Sequence, residues 1–269
     1  MIKKHLVFHF FIPDDYETNI AIKVHYGCLA KYCNVFDSAE FFIASTDMSK
    51  KYINDVKCNI INVFKCKDIR FKEIENDPFF EARTFKENVI DKIDEMEETM
   101  VFFGHTKGVR DVVMFQNNRE FFLKWIYALY FYSLEFVREA EIKLFTIFHG
   151  RPYVFWGSLP LVYTDETNCI LAGTFYWTNP MTLSKDIKNG EVELKRFNDR
   201  AFAEELPSIY KRTFNRGYVM CKTGGHNCVE GKWDEFEFFG DGNFDDVVRH
   251  YGEYDKFMEG YNELIRQIQ

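Results

Sequence analysis

The sequence predicts an α/β protein with a mostly parallel central sheet flanked by helices. Over about the first hundred residues, apolar runs of strand length alternate with helical stretches, an order typical of parallel pairing. A second observation is the unbroken apolar run at residues 100–103, which indicates a strand buried on both faces. A third is the turn that follows, in which Gly104 and Gly108 enclose a His-Thr-Lys triplet.

Four strands and three helices are predicted in the first half of the chain. Apolar runs predict strands over residues 6–12, 40–44, 58–64 and 100–103. Helical periodicity predicts a helix capped by Thr18, a second over 50–55 and a third over 85–96. Because ligands of open α/β sheets bind at the carboxyl ends of the strands, the turn after residue 103 is expected at a binding edge. The chain contains neither a GxGxxG nor a P-loop sequence, which disfavours dinucleotide and NTPase sites.

The second half is expected to continue with further helices and strands. Asn117 and Glu120 resemble a capping box for a helix that is apolar nearly all round and should be deeply packed. Strands are predicted over residues 143–148 and 169–177, the second with Gly173 at its centre, where a glycine often marks a ligand. Three more helices are predicted. The first begins at Pro180 and continues through residues 183–187, the second covers the charged stretch 196–210, and the third covers about 245–268. One domain is expected over residues 1–269, with the final helix packed against it.

Composition bounds the class of protein. The chain has 269 residues, of which 46% are hydrophobic, enough for a substantial core. A net charge of −8 argues against a nucleic-acid partner. Seven cysteines without a regular framework indicate reduced thiols and a cytoplasmic protein. No apolar stretch reaches the roughly 18 residues of a membrane span, although peripheral contact with the inner face of a membrane stays open.

Positive charge is concentrated after the strand at residues 100–103. His105, Lys107 and Arg110 lie close together in the sequence, and Thr106 and the glycine N–H groups add donors. A lysine acts as a point charge on a phosphate, and a preplaced cation stabilises the charge that a departing diphosphate gains. The alternative is an ordinary strand exit with a solvated lysine, and spacing alone favours neither interpretation.

Metal-binding patterns are weaker, and no metal site is predicted. Cys221, His226 and Cys228 lack the paired spacing of zinc sites. The adjacent acids at residues 14–15 and 245–246 could hold a divalent cation through phosphates, so Mg²⁺ or Mn²⁺ stays an open alternative.

Three segments in one order resemble bacterial surface-polysaccharide glycosyltransferases. They are FFGHTKG at 102–108, AGTFYWTNP at 172–180 and RAFAEELP at 200–207, with Trp125 in the helix after the first. Similar proteins include the rhamnan-synthesis and galactofuranosyl-transfer enzymes of capsule and O-antigen clusters. The resemblance covers residues 101–207 and implies a GT-A-like fold over 1–269, with a nucleotide-binding half at 1–111 and an acceptor half at 112–269 that ends in the final helix. It also implies transfer of a sugar, with galactofuranose as a candidate, from a UDP-type nucleotide sugar to an oligosaccharide, polysaccharide or lipid-linked acceptor.

The resemblance implies roles for individual residues. Many GT-A enzymes hold a metal with Asp-x-Asp where this chain has His-Thr-Lys, so reduced or absent metal dependence is expected. The donor is expected to contact Phe11, Pro13, Asp14, His105, Thr106, Lys107 and Gly108. Glu204 is the expected general base, with Asp199 and Glu205 as alternatives. The sugar or acceptor is expected to contact Gly173, Thr174, Tyr176, Trp177 and Arg200.

Alternative interpretations stay open. The aromatic residues could form a sugar-stacking wall, or they could be ordinary core. The chain could be a non-catalytic carbohydrate-binding or assembly protein that has no need of His105 and Lys107. It could also be a metal-dependent phosphoryl-transfer or hydrolytic enzyme that uses the acidic pairs.

Overall fold

The central feature of the computed structural model is a seven-stranded sheet of order β3-β2-β1-β4-β8-β5-β9. The structure describes residues 2–64, 68–77, 80–92, 96, 98–114, 119–146, 153–157, 160–162, 169–171, 175–189, 219–220 and 244–269. Its first four strands are β1 (Lys3–Ile12), β2 (Ser38–Ser45), β3 (Asp68–Ile74) and β4 (Thr99–His105). These four strands are parallel to one another.

Helices cover both faces of the first four strands. They are α1 (Ile20–Tyr32), α2 (Ile53–Phe64) and α3 (Phe80–Phe85), the last continued by a π-helical turn at Lys86–Ile90. The helices α1 and α2 pack on the face that carries Phe8 and Phe102, whereas α3 packs on the face that carries Val7 and Phe103. Alternation of side chains along each strand sends apolar residues into both layers. Strands β1, β2 and β4 are therefore largely buried on both sides, as the unbroken apolar runs predict.

The second half of the chain extends the sheet and its helical layers. Its elements are α4 (Asp111–Met114), α5 (Arg119–Leu134), α6 (Val137–Phe145), β5 (Phe155–Gly157), β6 (Pro160–Val162), β7 (Cys169–Leu171), β8 (Tyr176–Thr178), α7 (Pro180–Lys188), β9 (Val219–Met220), α8 (Phe244–Tyr251) and α9 (Tyr254–Ile268). Strand β8 runs antiparallel to both β4 and β5, and β9 runs parallel to β5. Strands β6 and β7 form a separate antiparallel pair.

The chain reverses direction across the sheet between β1 and β4. From β1 the connections lead through β2 to β3 on one side, and β4 then returns to the other side of β1. In open α/β sheets such a reversal leaves a crevice at the carboxyl ends of the two strands, where ligands bind. The loop after β1 and the His-Thr-Lys turn after β4 both begin at this edge, which we call the switch-point edge.

The layer over α1 is an aromatic core built around α5. Residues 122–134 of α5 are buried on all sides, as its apolar circumference predicts. Helix α9 packs against α1 and α5. Within the described residues, no helix has the length and apolar character required to cross a lipid bilayer.

Several predicted elements are confirmed and others are wrong. The α/β class, the mostly parallel sheet, and strands β1, β2 and β4 are confirmed. The predicted strand at 58–64 is wrong, because these residues continue helix α2, whose buried side chains recur with helical spacing. The predicted strand at 143–148 is wrong over 143–145, because those residues end helix α6. The cap of α1 is Asn19 rather than Thr18.

The last predicted elements are only partly matched. Strands β7 and β8 lie within the predicted strand 169–177, and residues 172–174 are not among those described. The predicted final helix is two helices, because Gly252 and Glu253 between α8 and α9 have φ of +84° and +60°. The charged stretch 196–210 and the cap residue Asn117 lie outside the described residues.

Candidate functional site at the switch-point edge

Thr106 joins the two loops of the switch-point edge. Its hydroxyl accepts a hydrogen bond from the N–H of Phe11 at 2.8 Å and donates to the carbonyl of the same residue at 3.2 Å. Its own N–H donates to the carbonyl of His9 at 3.1 Å. The triplet therefore continues the pairing of β4 with β1 for one residue beyond the strand, and its position relative to the loop after β1 is fixed.

The turn that follows places Lys107 above the core. The N–H of Lys107 donates to the carbonyl of His105 at 2.8 Å. Gly108 has φ of +79°, and a Cβ added there would lie 3.0 Å from Cδ1 of Ile126, so glycine is favoured on both grounds. The ammonium of Lys107, a half-buried residue, lies 5.2 Å from the ring centroid of Trp125. That ring attracts the cation and holds it near the edge.

The buried side chain of His25 is hydrogen-bonded to the turn that carries Lys107. Nε2 of His25 lies 2.8 Å from the carbonyl oxygen of Lys107, and Nδ1 lies 2.8 Å from the hydroxyl of Tyr130. A carbonyl only accepts, so Nε2 carries the proton and the Tyr130 hydroxyl donates to Nδ1. Burial lowers the pKa of His25 to about 3 and raises that of Tyr130 well above its ordinary value. Both groups are therefore neutral at physiological pH.

Asn19 ties the end of the turn to helix α1. Its side-chain N–H₂ group donates to the carbonyl of Val109 at 2.8 Å and to the carboxylate of Asp15. Its side-chain oxygen accepts from the N–H groups of Ala21 and Ile22 at the start of α1. A single buried side chain thus caps a helix and positions the loop that carries Lys107.

The neighbouring loops contribute both signs of charge. The guanidinium of Arg110 lies 4.6 Å from the ring centroid of Phe11. The carboxylate of Asp14 accepts a hydrogen bond from the hydroxyl of Thr46, in the loop after β2. A groove of about 430 Å³ opens beside this edge and is lined by Asp15, Thr18, Asn19, Ile20, Val112, Val113 and Arg119. Lys107 and Arg110 do not line this groove, whose one cationic lining residue among those described is Arg119.

His105 is enclosed rather than presented to solvent. It is 4% exposed, and its ring centroid lies 5.8 Å from that of Phe175. On β1, the partner of His105 in the strand register is His9, which is buried and whose Nδ1 lies 3.1 Å from the hydroxyl of Thr84. The imidazole of His105 therefore lies inside the protein and not on its surface.

The aromatic residues expected to contact the sugar lie in the core. Tyr176 and Trp177 are 0% exposed. The indole N–H of Trp177 donates to the carbonyl of Ser133 at 2.8 Å, and the ring of Tyr176 packs on that of Phe85. Strand β8 lies between β4 and β5 with both faces covered, so these two rings present no face for stacking on a sugar.

The remaining expected contacts fall outside the described residues. Gly173, Thr174, Asp199, Arg200, Glu204 and Glu205 are among them. Their expected roles stay predictions.

The acidic pairs are engaged by the protein itself. Asp15 accepts from Asn19, and Asp245 accepts from the ammonium of Lys124 at 2.7 Å and from the hydroxyl of Tyr254 at 3.1 Å. Among the described residues, no group of three or more His, Cys, Asp or Glu side chains is arranged to hold a metal ion.

Two supporting residues were missed by the sequence analysis. Asn19 could have been found, because Asn is at least as good a helix cap as Thr and the helix begins directly after it. His25 carries no local pattern, since its two partners lie 82 and 105 positions further along the chain.

No known protein family, curated protein or solved structure matches the chain.

Proposed function

We propose that this protein is a glycosyltransferase of GT-A-like fold. It transfers a sugar, with galactofuranose as a candidate, from a UDP-type donor to a polysaccharide or lipid-linked acceptor of capsule or O-antigen. The observation that carries the proposal is the hydrogen-bonded junction of Phe11 with Thr106, which fixes the loop after β1 beside the cation of Lys107 at the switch-point edge. That edge is where a nucleotide diphosphate binds in related sheet topologies.

The chemistry assigned to the site follows from its charges. The acceptor hydroxyl forms a bond to the anomeric carbon of the donor sugar as the bond from that carbon to the diphosphate breaks. The hydroxyl proton passes to a carboxylate, for which Glu204 is the proposed base. The leaving diphosphate gains negative charge, which Lys107 and Arg110 are placed to stabilise because the hydrogen bonds of Thr106, Asn19 and His25 fix the backbone that carries them.

The donor is proposed to lie along the switch-point edge. Its nucleotide lies beside Phe11, Pro13 and Asp14, and its diphosphate lies beside the turn from Thr106 to Gly108. The acceptor comes from the cytoplasmic side, at the inner face of the membrane where lipid-linked sugars would be presented. Transfer is proposed to proceed with little or no metal dependence, because His105, Thr106 and Lys107 stand where many GT-A enzymes have Asp-x-Asp.

Two substitutions test the proposal. With a panel of UDP-sugars that includes UDP-galactofuranose, Lys107→Ala is expected to abolish donor turnover and leave the fold intact. Glu204→Gln is expected to retain donor binding and lose transfer. The matched control is Lys72→Ala, which removes an exposed lysine from β3. Unchanged turnover in Lys107→Ala would remove this lysine from the mechanism, and equal loss of binding and transfer in Glu204→Gln would indicate a structural role.

Chelation separates the proposal from a metal-dependent phosphoryl-transfer or hydrolytic enzyme. EDTA is expected to leave UDP binding and donor turnover nearly unchanged. Complete loss of turnover with EDTA, restored by Mg²⁺ or Mn²⁺, would favour the metal-dependent alternative. Binding of an oligosaccharide without any binding of UDP would favour a non-catalytic carbohydrate-binding protein.

A further inference from the structure

A second and larger cavity lies outside the switch-point edge. It has a volume of about 850 Å³ and lies between helices α1 and α2 and the carboxyl end of α9. Among the described residues, it shares no lining residue with the groove of about 430 Å³ that Asp15, Asn19 and Arg119 line. We call it the α1–α2 groove.

The polar lining of the α1–α2 groove is rich in carboxamides. Its polar members are Lys23, Tyr26, Asn34, Asn59, Asn62 and Gln267. Aspartate and glutamate are absent from the described part of this lining, although the chain has 42 acidic residues against 34 lysines and arginines. A carboxamide both donates and accepts hydrogen bonds, as a sugar hydroxyl does. The lining is therefore suited to a ligand that is polar and uncharged.

Two of these carboxamides are available for a ligand. Asn34 and Asn62 are exposed, and neither side chain has a hydrogen bond among the described residues. Asn59 is held differently, because its N–H₂ group donates to the hydroxyl of Tyr16 at 3.1 Å. Between the amides, Val63 and the buried Phe64 give the groove an apolar floor. Such a floor matches the C–H faces of a sugar ring, which are apolar between the hydroxyls.

Two lining residues of the groove, Tyr26 and Asn59, are hydrogen-bonded to Tyr16 in the loop after β1. The hydroxyls of Tyr16 and Tyr26 lie 3.0 Å apart, and the ring of Tyr26 packs on that of Phe10 in β1. Tyr16 belongs to the loop after β1, close to the proposed nucleotide contacts Pro13 and Asp14. Hydrogen bonds thus connect Asn59 and Tyr26 of the groove to Tyr16, whose N–H donates to the carbonyl of Pro13 at 3.2 Å.

We infer that the α1–α2 groove binds a segment of a neutral oligosaccharide. Among the described lining residues Lys23 carries the one ammonium and none carries a carboxylate, whereas a polyanion or a basic peptide needs several opposite charges. In the proposed transferase, this groove holds the acceptor chain. The inference therefore adds an acceptor site to the proposed function and rests on that function. Saccharide binding in the groove uses neither Lys107 nor the donor, so the two claims can fail separately.

The test is calorimetric binding of neutral hexasaccharides to the full chain in the absence of UDP. The probes are maltohexaose, cellohexaose and isomaltohexaose at millimolar concentration. At least one is expected to bind, and the double substitution Asn34→Ala with Asn62→Ala is expected to weaken it about tenfold, since two hydrogen bonds are lost. Asn54→Ala is the matched control, because Asn54 is exposed on α2 and lies outside the lining.

The outcomes separate the two claims. Binding of none of the three probes, or equal binding by the wild type and the double variant, would overturn the inference. Both asparagines are exposed, so the double variant is expected to keep the thermal midpoint of the wild type, and this is measured first. Saccharide binding without UDP binding would leave the groove standing and remove the transferase proposal. UDP binding without saccharide binding would do the reverse.

Discussion

The imidazole of His25 and the backbone carbonyl of Lys107 form a hydrogen bond of 2.8 Å across 82 positions of the chain. The bond fixes the turn that carries the site's lysine to the first helix of the fold. Because Tyr130 donates to the other ring nitrogen, the imidazole is satisfied only in its neutral form with the proton on Nε2. Protonation of His25 would break this arrangement.

The stability of the protein is therefore expected to fall in mild acid. The pKa of His25 is lowered by burial to about 3, whereas in the unfolded chain it stays near 6.5. Between pH 6.5 and pH 3 the imidazole of His25 is protonated in the unfolded chain but neutral in the folded protein. Its contribution to the free energy of unfolding is therefore constant above pH 6.5 and falls as the pH drops towards 3. From pH 7 to pH 5 this group alone accounts for a loss of about 2 kcal/mol, measurable by urea unfolding at the two pH values.

His25→Gln is the variant for this measurement. It is expected to be less stable at pH 7, since its partners are imperfectly satisfied, but its stability should change less between pH 7 and pH 5. His5→Gln is a useful companion, because burial also lowers the pKa of His5, to about 4, in the same direction. An unchanged pH dependence in His25→Gln would contradict the assignment of a neutral buried imidazole.

The contact of α9 with α1 and α5 requires a glycine. A Cβ on Gly260 would clash with the hydroxyl of Tyr127 and would lie 2.7 Å from Nζ of Lys31. These two groups are hydrogen-bonded to each other at 2.7 Å, so neither moves without loss of that bond. Gly260→Ala is therefore expected to destabilise the fold by about 1 to 2 kcal/mol, despite the better helix propensity of alanine.

This expectation is checked by chemical denaturation, which compares the free energy of unfolding of Gly260→Ala with that of a variant at the adjacent residue. Glu259 is exposed on the same helix, and Glu259→Ala should change the free energy of unfolding by less than about 0.5 kcal/mol. If Gly260→Ala were as stable as Glu259→Ala, the close approach of α9 to α1 would be wrong.

Helix α8 is joined to α5 by a largely buried ion pair. Lys124 is 8% exposed and donates to Asp245 at 2.7 Å. Burial lowers the pKa of Lys124, but its hydrogen bonds to Asp245 and Glu120 raise it by more, so the pKa stands above its ordinary value. Asp245→Asn leaves the ammonium with the exposed Glu120 as its ionic partner among the described residues. We expect a loss of about 2 kcal/mol in the free energy of unfolding.

The adjacent residue provides the control for the ion pair. Asp246 is exposed, and Asp246→Asn should leave the thermal midpoint nearly unchanged. Equal midpoints for the two variants would show that the pair does not hold α8 in place.

The parts of the fold that could be predicted are those with local patterns. The apolar run of β4 ends in glycine, so both the strand and its exit were predictable. Helix α2 was mistaken for a strand over 58–64 because Ile61, which is 51% exposed on the helix surface, makes the apolar run look continuous. The true strand β3 was missed because it is an edge strand with charged residues at alternate positions, and only its other side chains pack inward.

The candidate site was likewise predictable only where its residues are adjacent in the sequence. The cluster of His105, Thr106 and Lys107 was predictable because the three residues are adjacent in the sequence. The bonds that fix it, from Phe11 and His25, join residues 95 and 82 positions apart, and only the folded chain reveals them. The sugar-stacking wall was expected at Tyr176 and Trp177 because aromatic residues serve both cores and sugar sites, and sequence does not separate the two.

The central claim is that the ammonium of Lys107 binds the diphosphate of a nucleotide donor at the switch-point edge. Titration calorimetry with UDP tests it most directly on the wild type, Lys107→Ala and Lys72→Ala. The account predicts that UDP binds to the wild type and to Lys72→Ala alike, and that Lys107→Ala weakens it at least about tenfold, as expected for one lost charged hydrogen bond. Equal affinity of Lys107→Ala and the wild type, or no UDP binding by either, would contradict it.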